Sequence, residues 1–265
     1  MRVNEVECKS IISDSGITSV DYSINPYRGC EHGCRYCYAT FMKKYTNHTE
    51  PWGTFVDAKI NVKEALDRDL SRKKGGSVLM SSVTDAYQPA EGEYELTRCI
   101  LERLLDTNFF VNILTKSNLI IRDLDLLADF GPERVSVGFT VNFVEEDDKS
   151  VWEPSSPSVA ERIDALKTLS EAGVPTYVHV GPYLEGITNL EAILKETEDF
   201  IFELQVENLN LRGKRRTIME IIEENYPWLK SSYKRICNND FRFSDRLQGR
   251  IQKLSRIHPT SIRFC

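Results

Sequence analysis

The 265-residue chain contains no run of about 18 apolar residues, so no part of it reads as a membrane-spanning helix. Its opening, Met1-Arg2-Val3-Asn4-Glu5-Val6-Glu7, lacks the apolar stretch of a secretory signal. Histidine is scarce, four in all, and only His32 and His48 lie near a cysteine cluster, neither at zinc-finger spacing. A closed tetrahedral zinc site is therefore not expected. Seven cysteines are an odd number, and a chain this long buries core enough without staples, which argues against a disulfide framework. Free thiols fit a reducing compartment, and the expectation is a cytoplasmic protein with no membrane partner.

What is present is ordinary in bulk and uneven in charge. Hydrophobic residues make up 41% and charged residues 28%, the mix of a globular domain. The net charge of −6 divides unequally. From Arg212 onward thirteen Lys and Arg stand against five Asp and Glu, a surplus of +8, which leaves −14 on the first 211 residues. Such a basic segment either meets phosphates, as on a nucleic acid, or is the solvated face of helices packed on an acidic body.

Six short β-rich runs, at 19–24, 77–82, 109–114, 135–141, 176–180 and 206–211, alternate with helical patterns near 61–73, 94–105, 123–129, 159–172 and 190–202. That alternation predicts βα units around a parallel sheet. Ser158 with Glu161 forms a capping box at the start of the fourth helix, and Gly173 with Pro175 ends it. Residues 40–58 read as an irregular connection. Past residue 211 the rhythm stops, and helices through about residue 230 and over 243–256 should cover an open edge. The expected division is 1–211 as the α/β body and 212–265 as a basic helical extension packed on it.

The most specific feature is Cys30-Glu31-His32-Gly33-Cys34-Arg35-Tyr36-Cys37, a C-x3-C-x2-C run with an aromatic residue before the last thiol. Three thiolates on one tight loop can hold three irons of a [4Fe–4S] cube and leave the fourth open. Gly29 and Gly33 supply the tight turns. Cys8, Cys99, Cys237 and Cys265 are scattered and are not expected to be ligands.

This run is similar to the signature of the radical S-adenosylmethionine (SAM) superfamily. The likeness extends to Asn25-Pro26-Tyr27-Arg28-Gly29-Cys30, Cys37-Tyr38-Ala39, Ser82-Val83-Thr84-Asp85-Ala86-Tyr87-Gln88-Pro89 and Trp152-Glu153-Pro154-Ser155. These runs resemble the subgroup around spore photoproduct lyase, over roughly residues 20 to 235. The resemblance implies a partial (β/α)6 barrel, and the count of βα units agrees with it. It also implies a [4Fe–4S] cluster, SAM cleavage to a 5′-deoxyadenosyl radical, hydrogen abstraction from a substrate, and a reductase or a flavodoxin- or ferredoxin-type electron donor.

By the same resemblance Cys30, Cys34 and Cys37 are the iron ligands and Tyr36 packs on the adenine. Tyr38 is a second aromatic candidate at the mouth. Thr84 and Asp85, at the end of the second strand, would accept from the SAM amino group, although an Asx or ST turn explains them equally simply. Lys116 would pair with the SAM carboxylate, or be a surface lysine. Ser136 and Thr140 share one strand face with Gly138 and would sit near the ribose. Arg162 would point at SAM, or be an ordinary helix charge. His179, among apolar neighbours, reads as a satisfied core histidine. Tyr27, Tyr87, Trp152 and Tyr183 fall on predicted mouth loops.

Three functions compete. The lyase likeness and the basic tail favour radical chemistry on a nucleic acid or nucleotide. A peptide or small molecule is the alternative, although the extra cysteine-rich domain usual in peptide maturases is not evident. An iron–sulfur electron carrier or sensor without SAM chemistry is the third. The chain also departs from the lyase: where that enzyme has a hydrogen-donating cysteine, three positions before the aspartate, this sequence has Ser82. Repair of spore photoproduct by the lyase mechanism is therefore not expected.

Overall fold

The computed structural model describes residues 2–238 and 242–265. Its strands are β1 (Arg2–Val6), β2 (Ile12–Asp14), β3 (Tyr22–Ile24), β4 (Tyr27–Arg28), β5 (Phe55–Lys59), β6 (Gly75–Met80), β7 (Asn108–Thr115), β8 (Val135–Thr140), β9 (Thr176–Val180), β10 (Glu203–Val206) and β11 (Ser261–Phe264). Eight of them form one sheet in the order β11-β10-β9-β8-β7-β6-β3-β2, parallel throughout except where β2 meets β3. The helices are α1 (Val62–Leu70), α2 (Glu91–Tyr94), α3 (Leu96–Leu105), α4 (Leu124–Phe130), α5 (Glu146–Trp152), α6 (Val159–Glu171), α7 (Leu190–Thr197), α8 (Arg215–Asn225), α9 (Lys230–Cys237) and α10 (Arg242–Leu254). The six expected strands are all present in a partial α/β barrel.

Strand alternation explains why the sheet wraps a hollow. On one face stand Val78, Met80, Phe109, Val111, Ile113, Val137, Phe139, Val178, Val180, Leu204 and Val206, all buried in one core with Leu66, Leu101, Leu127, Leu166 and Ile193 of the helices. Removing each such side chain from water contributes about 1.5–3 kcal/mol. The other face carries Leu79, Asn112, Leu114, Gly138, Thr140, Tyr177, His179 and Gln205, a mixed and largely polar set that does not close a core. In a closed barrel that face is filled by bulky branched residues. Here it lines a cavity.

Several boundaries differ from the sequence reading. The sixth strand lies at Glu203–Val206 rather than 206–211. The alternation past Val206 is real, but Leu209 and Leu211 bury in a smaller cluster with Cys34, Tyr36, Phe143 and Trp152, so it marks a packed loop. The last barrel helix stops at Thr197, where a 3-10 turn over Glu198–Phe200 takes over. Residues 40–58 are irregular only over 46–54. They hold a 3-10 segment, Tyr38–Tyr45, and β5, which pairs with β1 and β4 in a separate three-stranded sheet. The C-terminal segment adds a strand as well as helices, because β11 pairs in parallel with β10 at the sheet edge. Among the described residues no helix is long and apolar enough to cross a membrane.

Candidate active site

The cysteine loop is held by a web of short polar contacts. Gly29 sits at φ 88°, and a Cβ there would overlap the Phe55 carbonyl oxygen, so no larger residue fits. Gly33 N donates to Cys30 O at 3.3 Å and Cys37 N to Cys34 O at 3.1 Å, winding the three thiols onto adjacent turns. Glu31 N donates to Gln88 Oε1 at 2.9 Å, and the Glu31 carboxylate accepts from Ala90 N at 2.6 Å. Arg35 N donates to Trp152 O at 2.9 Å. The loop is thus clipped to the segment after β6 on one side and to α5 on the other.

Among the described residues no three Cys, His, Asp or Glu side chains converge on a single ion-sized point. A one-metal site is not built here. A cube makes the opposite demand, since each thiolate binds its own iron. Burial pushes all three thiols up, Cys34 to about 12, with Lys116 pulling against that rise and Glu153 and Cys37 adding to it. Thiols this poorly ionised by themselves need the positive charge of metal to become ligands. The donor set fits an iron–sulfur cluster.

The loop opens onto a cavity of about 550 Å³ at the carboxyl ends of the barrel strands. Cys30, Cys34, Cys37, Tyr36, Tyr38, Thr84, Asp85, Lys116 and Thr140, nine of the eleven residues expected at the site, line it together. Ser136 and Arg162 do not. Ser136 lies buried one turn of the pleat deeper on β8. Arg162, 1% exposed, donates to Thr140 O at 3.0 Å and Ser156 Oγ at 2.5 Å, and pairs with Glu153 at 2.6 Å. It is a buried internal cation rather than a helix-surface charge.

Glu153 is the residue that sequence reasoning missed. Fully buried, it accepts a short hydrogen bond from Tyr36 Oη and a 3.1 Å bond from Asn142 Nδ2. Asn142 also donates to Tyr36 Oη at 2.9 Å. Burial opposes its ionisation, but Arg162 and Lys116 outweigh burial and hold its carboxyl below the usual range. The sequence carried a signal: a lone acid between Trp152 and Pro154 in a run already quoted for its likeness.

Asp85 is similarly committed. Its carboxylate accepts from Thr115 Oγ1 at 2.6 Å, Lys116 N at 2.9 Å and Tyr87 N at 2.9 Å. His32 Nε2 lies 3.2 Å away, close enough for charge pairing though not aligned as a hydrogen bond. These donors overcome burial and hold Asp85 below the carboxylate range. Thr84 Oγ1 donates to Gly29 O at 2.5 Å and accepts from Gln88 Nε2 at 2.9 Å. The turn expected at this position is present, tied to the cysteine loop. Lys116 Nζ stands 5.8 Å from the Tyr36 ring centre, and although burial disfavours its charge, Cys34 and Glu153 reverse the sign and raise its pKa.

Of the aromatics placed on mouth loops, Tyr27, Tyr87, Trp152 and Tyr183 are core residues, and Tyr38 reaches the cavity. His179 is not a satisfied core histidine. It lines the cavity, its Nε2 is 3.4 Å from Glu207, and its Nδ1 has no partner among the described residues. Cys265 also lines the cavity, its N–H bonded to Val206 O at 2.9 Å.

The model of the Radical SAM superfamily matches residues 24–197, and the chain belongs to that family of enzymes. They use a [4Fe–4S] cluster and SAM, and their reaction draws an electron from an external reductant. The chain is 37% identical over 255 residues to an uncharacterised protein of Methanocaldococcus jannaschii, covering 96% of this chain and 94% of that one. It is 24% identical over 216 residues to the radical SAM Nalpha-GlyT isomerase of Pseudomonas phage M6, covering 80% of this chain and 41% of the isomerase. In fold it is similar to spore photoproduct lyase complexed with dinucleoside spore photoproduct, with a TM-score of 0.61 and 16% identity over 85% of this chain. The chain spans 66% of that lyase.

Proposed function

We propose that Cys30, Cys34 and Cys37 hold the [4Fe–4S] cluster and that this enzyme acts on a base of a nucleotide or nucleic acid. The observation that carries the reading is the gathering of the three thiols, Tyr36 and Lys116 around one cavity at the strand ends. Bound together, cluster and SAM supply the chemistry of hydrogen-atom abstraction. The chain's own residues bind and orient. Lys116 offers an ammonium to the SAM carboxylate, and Tyr36, Tyr38 and Thr140 supply faces and a hydroxyl around the nucleoside. Thr84 and Asp85 would border the SAM amino group, and Ser136 and Arg162 would act from behind the cavity wall, Arg162 by fixing Glu153 and through it the Tyr36 ring.

A fold neighbour supports the substrate class, a lyase solved with a dinucleoside. Ser82 lines the cavity, and the sequence resemblance matches it to the lyase's hydrogen-donating thiol, so a different outcome for the substrate radical is expected. The same reading takes the electron donor to be a flavodoxin, ferredoxin or reductase, the location to be the cytoplasm, and residues 212–265 to be an extension on a 1–211 barrel. Part of the basic segment's charge is already neutralised within the chain: Arg216, Lys230, Arg250 and Arg263 each meet a carboxylate. The test is anaerobic reconstitution with SAM and dithionite, with and without an oligonucleotide. Release of 5′-deoxyadenosine that rises with the oligonucleotide, and not with a peptide of similar length, is the expected result. Stimulation by peptide alone would sink the substrate class.

A further inference from the structure

One exposed feature starts at the cavity mouth with Tyr38 and runs outward, away from the cofactor-holding residues, through Phe41 and Tyr45. The segment Tyr38–Tyr45, directly after Cys37, turns three aromatic rings outward: Tyr38 is 39% exposed, Phe41 44% and Tyr45 59%. The Tyr38 and Phe41 rings lie 6.4 Å apart and nearly parallel, and Tyr45 meets Phe41 edge-on at 6.5 Å. Lys44 Nζ stands 5.6 Å from the Phe41 ring centre and 4.6 Å from that of Tyr45. Three large rings left in water within eight residues contribute little to a core, and a contiguous exposed apolar patch of this kind marks a binding surface.

The row has a direction. Tyr38 lines the cavity and donates to Ser82 O at 2.5 Å, so one end is at the mouth. At the other end Lys44 and Tyr45 border a second hollow of about 690 Å³, with Arg2 and Arg28 on its walls. The acids of that hollow are already engaged. Glu50 and Asp57 hold His48 between them at 3.1 and 2.8 Å, and they lie 3.4 Å from Arg2 and 3.9 Å from Arg28. Lys44 has no carboxylate within ion-pair distance among the described residues. Lys44 adds positive charge beside the rings, and single-strand surfaces combine such cations with aromatic faces, the long lysine side chain swinging off a ring to meet a phosphate when a base takes its place.

We propose that Tyr38, Phe41 and Tyr45, with Lys44, form a stacking track for single-stranded nucleic acid that leads an unpaired base to the cavity. This rests on the nucleic-acid reading above and names its docking surface. The track is sequence-tolerant, because every base has a face to stack. It favours single strands over duplex, whose bases are already stacked on one another.

The probe is a fluorescein-labelled ten-residue oligothymidylate, and the readout is anisotropy with the reconstituted full chain and SAM. Phe41→Ala with Tyr45→Ala should weaken binding by at least tenfold, within the roughly 5- to 150-fold range for loss of a stacking ring. Tyr45→Phe should bind as wild type, and Lys44→Gln should lower the salt slope by about one. Unchanged circular dichroism and SAM affinity would show that the variants fold. Wild-type affinity in the double variant, with the loss seen instead in a Lys214, Arg215 and Arg216 triple neutralisation, would overturn the track and leave the substrate reading standing. Retained oligonucleotide affinity with impaired reduction by flavodoxin would likewise overturn it, making the surface a protein dock. No binding by the wild type would defeat the substrate reading and the track together.

Discussion

The two ends of the cavity are built differently. Around the cysteine loop the buried carboxylates and the Gln88 amide are engaged, Glu31 with Ala90, Gln88 with Glu31 and Thr84, Asp85 with Thr115 and Lys116, Glu153 with Tyr36 and Arg162, while His32 Nε2, Ser81 Oγ and the Trp52 and Trp152 indole nitrogens find no hydrogen-bond partner among the described residues. At the far edge, Glu207 just past β10 and Arg263 on β11 are about half exposed, and Cys265 just past β11 is exposed. An invariant cofactor is served by a fixed, pre-paired shell, because such a shell costs no reorganisation on binding. On the proposed assignment, the cofactors would meet the engaged end and the substrate the edge that short strands leave open.

The sharpest way to break the comparison is to unpair the engaged end. Glu153→Leu strands the buried Arg162 guanidinium and should cost about 3–5 kcal/mol in denaturant unfolding. Removing both partners, Glu153→Leu with Arg162→Met, should recover much of that loss while leaving Tyr36 unanchored. If the double variant is no more stable than the single, the pair is not the clamp described.

Acid tests the same end through linkage. Asp85 and Glu153 are held below their unfolded values, so the stability they add is complete above about pH 4.5 and is lost as pH falls through their folded values. Unfolding free energy should therefore decline below pH 4.5, and Asp85→Asn should flatten that decline. A parallel decline in wild type and variant would show that Asp85 is not a contributor.

A smaller effect is expected from Gly138. A Cβ there would overlap the Tyr177 ring, whose hydroxyl donates to Asn112 at 2.7 Å. Gly138→Ala should cost about 1–3 kcal/mol by overpacking and narrow the cavity. Smallest of all, Arg216→Gln breaks an exposed pair with Glu220 and should shift stability by under about 1 kcal/mol.

Much of this was legible beforehand, for physical reasons. The cysteine run, the barrel rhythm and the capping box of α6 are local patterns, and all three appear as read. Ser158 accepts from Glu161 N, and the Glu161 carboxylate returns to Ser158 N at 2.8 Å. What stayed hidden depends on partners distant in sequence. β5 becomes a strand by pairing with β1, about fifty residues away, and β11 by pairing with β10. Arg162 looks like a surface charge until Glu153 is seen beside it. Leu209 and Leu211 mimic a strand because burial against the cysteine loop imposes the same alternation. His179 misled because a polar residue among valines fits a core and a cavity wall equally well.

On the proposed assignment, the engaged end of the cavity holds SAM against a cluster on Cys30, Cys34 and Cys37, with Lys116 as its charge anchor. The paramagnetic resonance spectrum of the reduced, reconstituted chain before and after SAM is added reads this interaction. Expected are about four irons per chain, a spectrum that changes on SAM addition in the wild type, and a much higher SAM concentration for the same change in Lys116→Met. A spectrum indifferent to SAM in a chain that carries its full iron would contradict this assignment.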